Sequence, residues 1–109
     1  MAKKTMKRFE VWLVMKNPEQ GRVLDNLGLC TIVTPDELID LPSLIVAPMT
    51  TLSEELPSRV ESQFEGSKGY IMVDQIRAVE KFCFIKKLGE LELDVQVNLC
   101  DCLQEFFAL

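Results

Sequence analysis

The sequence predicts a mainly β fold with a C-terminal helix, built as a small antiparallel barrel or curled sheet, and three observations carry that expectation. Short apolar runs, one with clear period-two alternation, recur between residues 8 and 88, punctuated by Pro, Gly, Asn and Asp. From about residue 92 the apolar spacing lengthens to three or four residues, the period of a helix face. No strand-helix-strand rhythm appears between them, so an antiparallel sheet is expected rather than a parallel one.

The elements follow in order. In "RFEVWLVM" Phe9, Val11, Leu13 and Met15 alternate with Glu10, Trp12 and Val14, which predicts a strand over residues 8–15. Asn17, Pro18 and Gly21 open a loop through about residue 27, and "LCTIVTP" reads as a second strand closed by Pro35. "DELID" suits one helical turn, which Pro42 ends before a third strand over residues 43–49. After an acidic connector, "RVESQFE" reads as a strand, "GSKG" as a turn, and "YIMVDQIRAV" as the returning arm of a hairpin. "KFCFIKKL" resumes a strand before Gly89. The helix is expected over residues 92–107, packing through Val95, Leu99, Leu103 and Phe106, on a barrel of five to six strands.

A length of 109 residues, 48% of them apolar, suits one domain, residues 1–109, with a modest core. No apolar run approaches the roughly 18 residues of a membrane span, and the lysine-rich start lacks the apolar stretch of a signal peptide, so a cytoplasmic protein without membrane contact is expected. Cys30, Cys83, Cys100 and Cys102 are scattered, and there is no histidine. A Cys-x-Cys pair on a helix points its thiols about 200° apart, which suits free thiols better than one shared metal. No metal and no cofactor are therefore expected. Net charge is −5, but Lys3, Lys4, Lys7 and Arg8 hold four of the twelve basic residues. The remaining chain carries eight basic against seventeen acidic residues, so nucleic acid can be met only at a local patch.

Three places are candidates for chemistry: the loop 16–28, the pair Thr50 and Thr51 that closes "SLIVAPMTT", and "VDQIR" with Asp74, Gln75 and Arg77. None matches a phosphate-cradling glycine motif, a Ser-His-Asp set or a metal-ligand spacing. On composition alone the threonines equally suit a wet strand end. Asp74 equally suits a solvated turn, with Arg77 as its partner or as a phosphate ligand.

"EVWLV", a proline and glycine loop, "TIVTPDEL", "LIVAPMTT", "PSRVESQFEG", "GYIMVDQIRAV" and "KKLGEL" before an apolar helix resemble, in order and spacing, the MazF/PemK family of toxins from toxin-antitoxin systems. The resemblance covers residues 8–109. It implies an SH3-like antiparallel β-barrel that forms a homodimer, cleaves single-stranded RNA as a sequence-preferring endoribonuclease, and is held inactive by a cognate antitoxin. It also implies that Thr50 and Asp74 are catalytic, with Gln75 beside Asp74. Arg22, Thr51, Arg59 and Arg77 complete the expected substrate-binding set.

The chain departs from the family where an Arg-Pro pair precedes the apolar second strand, for it has Gly28 and Leu29 there. Arg22 or Arg59 reaching into the vacant place is one expectation. A non-cleaving family member, or a protein-binding toxin of the CcdB kind acting through "LQEFFAL", is the alternative.

Overall fold

The computed structural model describes residues 5–17, 27–51 and 56–108. The described residues form seven strands and one long helix: β1 (Glu10–Met15), β2 (Leu27–Ile32), β3 (Ser43–Thr50), β4 (Arg59–Phe64), β5 (Ser67–Met72), β6 (Arg77–Glu80), β7 (Phe84–Glu90) and α1 (Leu93–Phe106). All registered pairings are antiparallel, in the order β4-β5-β3-β2-β1-β7, with β6 added beside β3. The expected barrel is thus a curled antiparallel sheet carrying a C-terminal helix, with seven strands rather than five or six. The end strands approach through side chains, since a Cβ on Gly89 in β7 would lie 3.0 Å from the Phe64 ring of β4.

β3 is the strand on which the sheet turns. Its first half pairs with β6 from Ser43↔Glu80 to Val46↔Arg77, and its end pairs with β5 at Met49↔Ile71 and Thr50↔Tyr70. Pro48, which has no N–H to give to a ladder, falls between these two pairings. The proline that interrupts "SLIVAPMTT" therefore stands where β3 passes from one sheet to the other.

Strand alternation serves two cores. Trp12, Val14, Cys30, Ile32, Leu44, Val46, Cys83 and Phe84 pack on one face. On the other, Val11, Ala47, Val60, Ile71, Val73 and Leu91 meet Val95 and Leu99 of the helix. β1 is consequently buried on both sides, so Glu10, although charged, is only 2% exposed. Its carboxylate accepts hydrogen bonds from the Lys7 N–H (3.0 Å) and Trp12 Nε1–H (2.9 Å) and pairs with Lys87 Nζ at 2.9 Å, so the buried charge is satisfied.

Several boundaries differ from expectation for local reasons. β1 starts at Glu10 rather than residue 8 because Phe9 has φ 71°, outside the strand region. Phe9 is held there by bonds from its N–H to the Ile32 carbonyl and from the Leu91 N–H to its own carbonyl. β2 starts earlier than expected, so Leu27 and Gly28 lie inside it, and it ends at Ile32. The β4-β5 turn is Glu65-Gly66, both with positive φ, while Ser67, Lys68 and Gly69 of the expected turn are already strand. "YIMVDQIRAV" is split by a 3-10 turn at Val73–Gln75 whose Val73 is fully buried, and a second such turn, Lys81–Cys83, precedes β7. Helix packing ends near Leu103; Phe106 is 47% exposed and stacks edge-on with exposed Phe107 instead of joining the core.

Candidate active site at the seam of the sheets

Gly69 of β5 brings the two sheets together where β3 ends. A Cβ on this residue would lie 2.7 Å from the Thr50 carbonyl oxygen, so only glycine permits this approach. The Thr50 backbone is thereby fixed between Tyr70 and Gly69, with its side chain half-buried.

Beside it lies an open depression of about 310 Å³, lined by the residue after β1, by β2 and β3, by the end of β5 with the turn that follows it, and by the first residue of β6. Thr50, Gln75 and Arg77 line it together with Lys16, Gly28 and Cys30. Three sequence-predicted residues thus share one cavity. The 3-10 turn explains how Gln75 arrives: burial of Val73 anchors the turn while its neighbours stay exposed. Arg77 is the first residue of β6 and faces Val46 across the ladder. Cys30 forms the floor, and burial pushes its thiol up to about 11 even though the nearby Arg77 guanidinium and Lys16 ammonium pull the other way. The thiol is therefore neutral at physiological pH, a packed floor rather than a nucleophile.

Asp74 occupies the same turn as Gln75 but is engaged by β4. The Arg59 Nε–H donates to its Oδ1 at 3.0 Å, an Arg59 terminal N–H donates to Oδ2 at 3.4 Å, and the Ser58 hydroxyl donates to Oδ1 at 3.1 Å. The Arg59 hydrogen bonds are the main reason the Asp74 carboxyl sits below its ordinary range. Arg59 is therefore committed to Asp74 and does not fill the place at Gly28. Burial first, then the negative charge of Glu105 and last that of Asp74, push up the thiol of Cys102 on the helix. That places the ion pair towards α1, and neither Asp74 nor Arg59 lines the depression. Thr51 belongs to an adjoining, mainly apolar groove with Met49, Thr50, Phe64 and Lys68. Arg22 lies outside the described residues.

A carboxyl whose folded pKa is lowered stabilises the fold above its unfolded pKa and loses that contribution as acid protonates it. Asp74→Asn is accordingly expected to destabilise the protein at pH 7, with the gap from wild type fading below about pH 4. Urea denaturation at pH 7 and pH 3 checks this; an equal gap at both would show that the charge contributes nothing.

Lys16, which sequence reasoning passed over, is the further residue at the site. It directly follows β1, whose hairpin register Val14↔Gly28 and Met15↔Leu27 sets it opposite the start of β2. A Cβ on Gly28 would meet Lys16 Cε at 3.3 Å and Cγ at 3.5 Å, so the lysine stem crosses the bare glycine. The signal available in sequence was a cation at a strand end facing a glycine at the start of the next strand.

Fold and depression together define a small barrel-like β domain that presents a hydroxyl, an amide and two cations at the seam of its sheet. The model of the family described as PemK-like, MazF-like toxin of type II toxin-antitoxin system matches residues 7–107. The chain belongs to this family. Among solved structures it resembles an endoribonuclease in complex with its cognate antitoxin from a mycobacterial species, with 18% identity over 96% of this chain and 97% of that one and a TM-score of 0.80. It also resembles MazF of Deinococcus radiodurans, at 14% identity over 98% and 100% of the two chains and a TM-score of 0.78. A MazF toxin of Mycobacterium tuberculosis superposes with a TM-score of 0.74, at 17% identity over 92% and 97% of the two chains. At these identities the likeness is one of fold. No curated protein matches the sequence. Among the described residues no helix is long and apolar enough to cross a membrane.

Proposed function

We propose that the chain is a toxin that cleaves single-stranded RNA without a metal ion, works as a homodimer and is neutralised by a cognate antitoxin. The observation that carries this reading is the convergence of Thr50, Gln75 and Arg77 on one depression in a chain of this toxin family. Support comes also from a structural neighbour described as an endoribonuclease in complex with its cognate antitoxin. Apolar side chains left exposed on and beyond α1, among them Leu93, Val97 and Phe107, offer surface for a second copy or a partner segment.

In the proposed reaction the RNA 2′-oxygen attacks the adjacent phosphorus and gives up its proton, while the 5′-oxygen leaves and gains one. The products are a cyclic phosphate, or the 3′-phosphate from its hydrolysis, and a 5′-hydroxyl. Thr50 donates to a non-bridging phosphate oxygen, Arg77 offsets the charge gathering on phosphorus, and Gln75 donates beside it. Asp74 acts as a positioning residue: its clamp by Arg59 and Ser58 fixes the turn that carries Gln75. Thr51, in the adjoining groove, contacts the strand next to the cut, and Arg22 adds positive charge.

Incubating antitoxin-free protein with long single-stranded RNA in excess chelator is expected to yield fragments with 5′-hydroxyl ends. Intact RNA in that assay, from a folded protein, would favour the second reading, a non-cleaving member that binds its antitoxin. That reading is favoured by one feature, Gly28 where the family places arginine.

A further inference from the structure

We propose that Lys16, laid across Gly28, and Arg77 form a two-cation site for one backbone phosphate of single-stranded nucleic acid. The proposal rests on the ribonuclease reading for its ligand, but it concerns binding and stands on separate geometry.

Without a side chain at Gly28, the surface there is open, and the Lys16 stem lies 3.3 to 3.6 Å from the point a Cβ would occupy. This contact holds a long, otherwise solvent-directed chain along the rim of the depression that Arg77 enters from β6. Both cations line the same depression as Cys30 and pull its thiol downward. Among the described residues neither Lys16 nor Arg77 is in an ion pair with a carboxylate, in contrast to Arg59, Lys68 and Lys87. Two cations without a carboxylate partner among the described residues, with the Thr50 hydroxyl and Gln75 amide on the same walls, make a locally positive pocket on a chain of net charge −5. A phosphodiester suits it: it carries one diffuse negative charge and accepts hydrogen bonds from several directions. A carboxylate ligand would leave part of this donor set unused.

Outside the basic stretch Lys3 to Arg8 the chain carries eight basic against seventeen acidic residues, so this seam is the local patch at which a nucleic-acid backbone can be met. Binding there should follow the salt dependence of a few phosphate contacts rather than of a basic surface.

The test uses a short 2′-O-methyl RNA, which has the backbone charge of RNA but lacks the attacking hydroxyl, so binding is read apart from cleavage. Wild type is expected to bind it, and Lys16→Met to bind it several-fold more weakly. The slope of log affinity against log salt should become shallower by about 0.7, the loss of one contact to a single strand. Lys16→Arg should restore both. A Lys16→Met protein that loses affinity with an unchanged slope would show a packing role only and overturn the proposal, as would unchanged binding or a wild type that does not bind. A wild type that binds through Lys16 but leaves unmodified RNA uncut would overturn the ribonuclease reading and leave the phosphate site in place.

Discussion

Thr50→Ala is expected to lower RNA cleavage by at least about tenfold, with folding unchanged. The backbone at this position is set by the pairing with Tyr70 and by the close approach of Gly69, neither of which needs the threonine side chain. What is removed is a hydroxyl at the rim of the depression, facing the same space as Gln75 and Arg77. Loss of one donor to a developing oxyanion typically costs on the order of a hundredfold to a thousandfold, and the donors that remain set the lower bound near tenfold. Thr50→Ser should recover most of the rate. The companion change Gly28→Arg is expected to raise cleavage, since it adds a cation at the rim. The new Cβ meets the Lys16 stem at 3.3 Å from Cε and 3.5 Å from Cγ, so the lysine chain has to give by a few tenths of an ångström. Single-turnover kinetics on one RNA decide both. A Thr50→Ala enzyme as fast as wild type removes this residue from the chemistry, and a folded but unimproved Gly28→Arg protein shows that cation number at the rim is not limiting.

Phe84→Ala should cost about 3–5 kcal/mol of folding stability, the usual range for emptying a buried phenylalanine site. The ring is fully buried at the start of β7 and meets Trp12 edge-on, with centroids 5.8 Å apart at 80°. Around it pack Ile32, Leu44 and Val46 from β2 and β3, strands fixed by ladders on both sides, so the cavity has little freedom to collapse. Against a total stability of roughly 5–15 kcal/mol this is a severe change. Trp12 is the only tryptophan, so its emission follows denaturation directly. A loss below about 1 kcal/mol would mean that the core refills the space, contrary to the packing described.

Which parts were legible in the sequence depends on how far each interaction reaches. The period-two run of β1 and the helical spacing through Val95 and Leu99 are local patterns, and both elements are where they were expected. Phe106 continues the helical spacing but lies beyond the sheet, so pattern alone placed it wrongly in the core. The break of "YIMVDQIRAV" at Val73–Gln75 is a tertiary event: the chain leaves β5 in the smaller sheet to become β6 in the larger one. The order of motifs reached the family and the curled sheet. It did not reach the pairing of Arg59 with Asp74, fifteen residues apart, or the crossing of Lys16 over Gly28, because both depend on side chains meeting across elements. Sequence could therefore name candidate residues without saying which of them were already spoken for.

The ladder of β1 with β7, running from Glu10↔Glu90 to Val14↔Phe84, joins segments some seventy positions apart. During synthesis β1 waits for β7, made at least seventy residues later, before its second edge is covered and Phe84 can reach Trp12. Lys16 of the depression directly follows that same β1, so until β7 docks this cation hangs from a strand with one open edge. Non-local pairing of this kind also slows folding in solution, since a long loop must close before any contact rewards it. The rim of the depression that Lys16 supplies is therefore fully braced only once the most distant strand pairing in the sheet has closed, which ties that rim to completion of the fold.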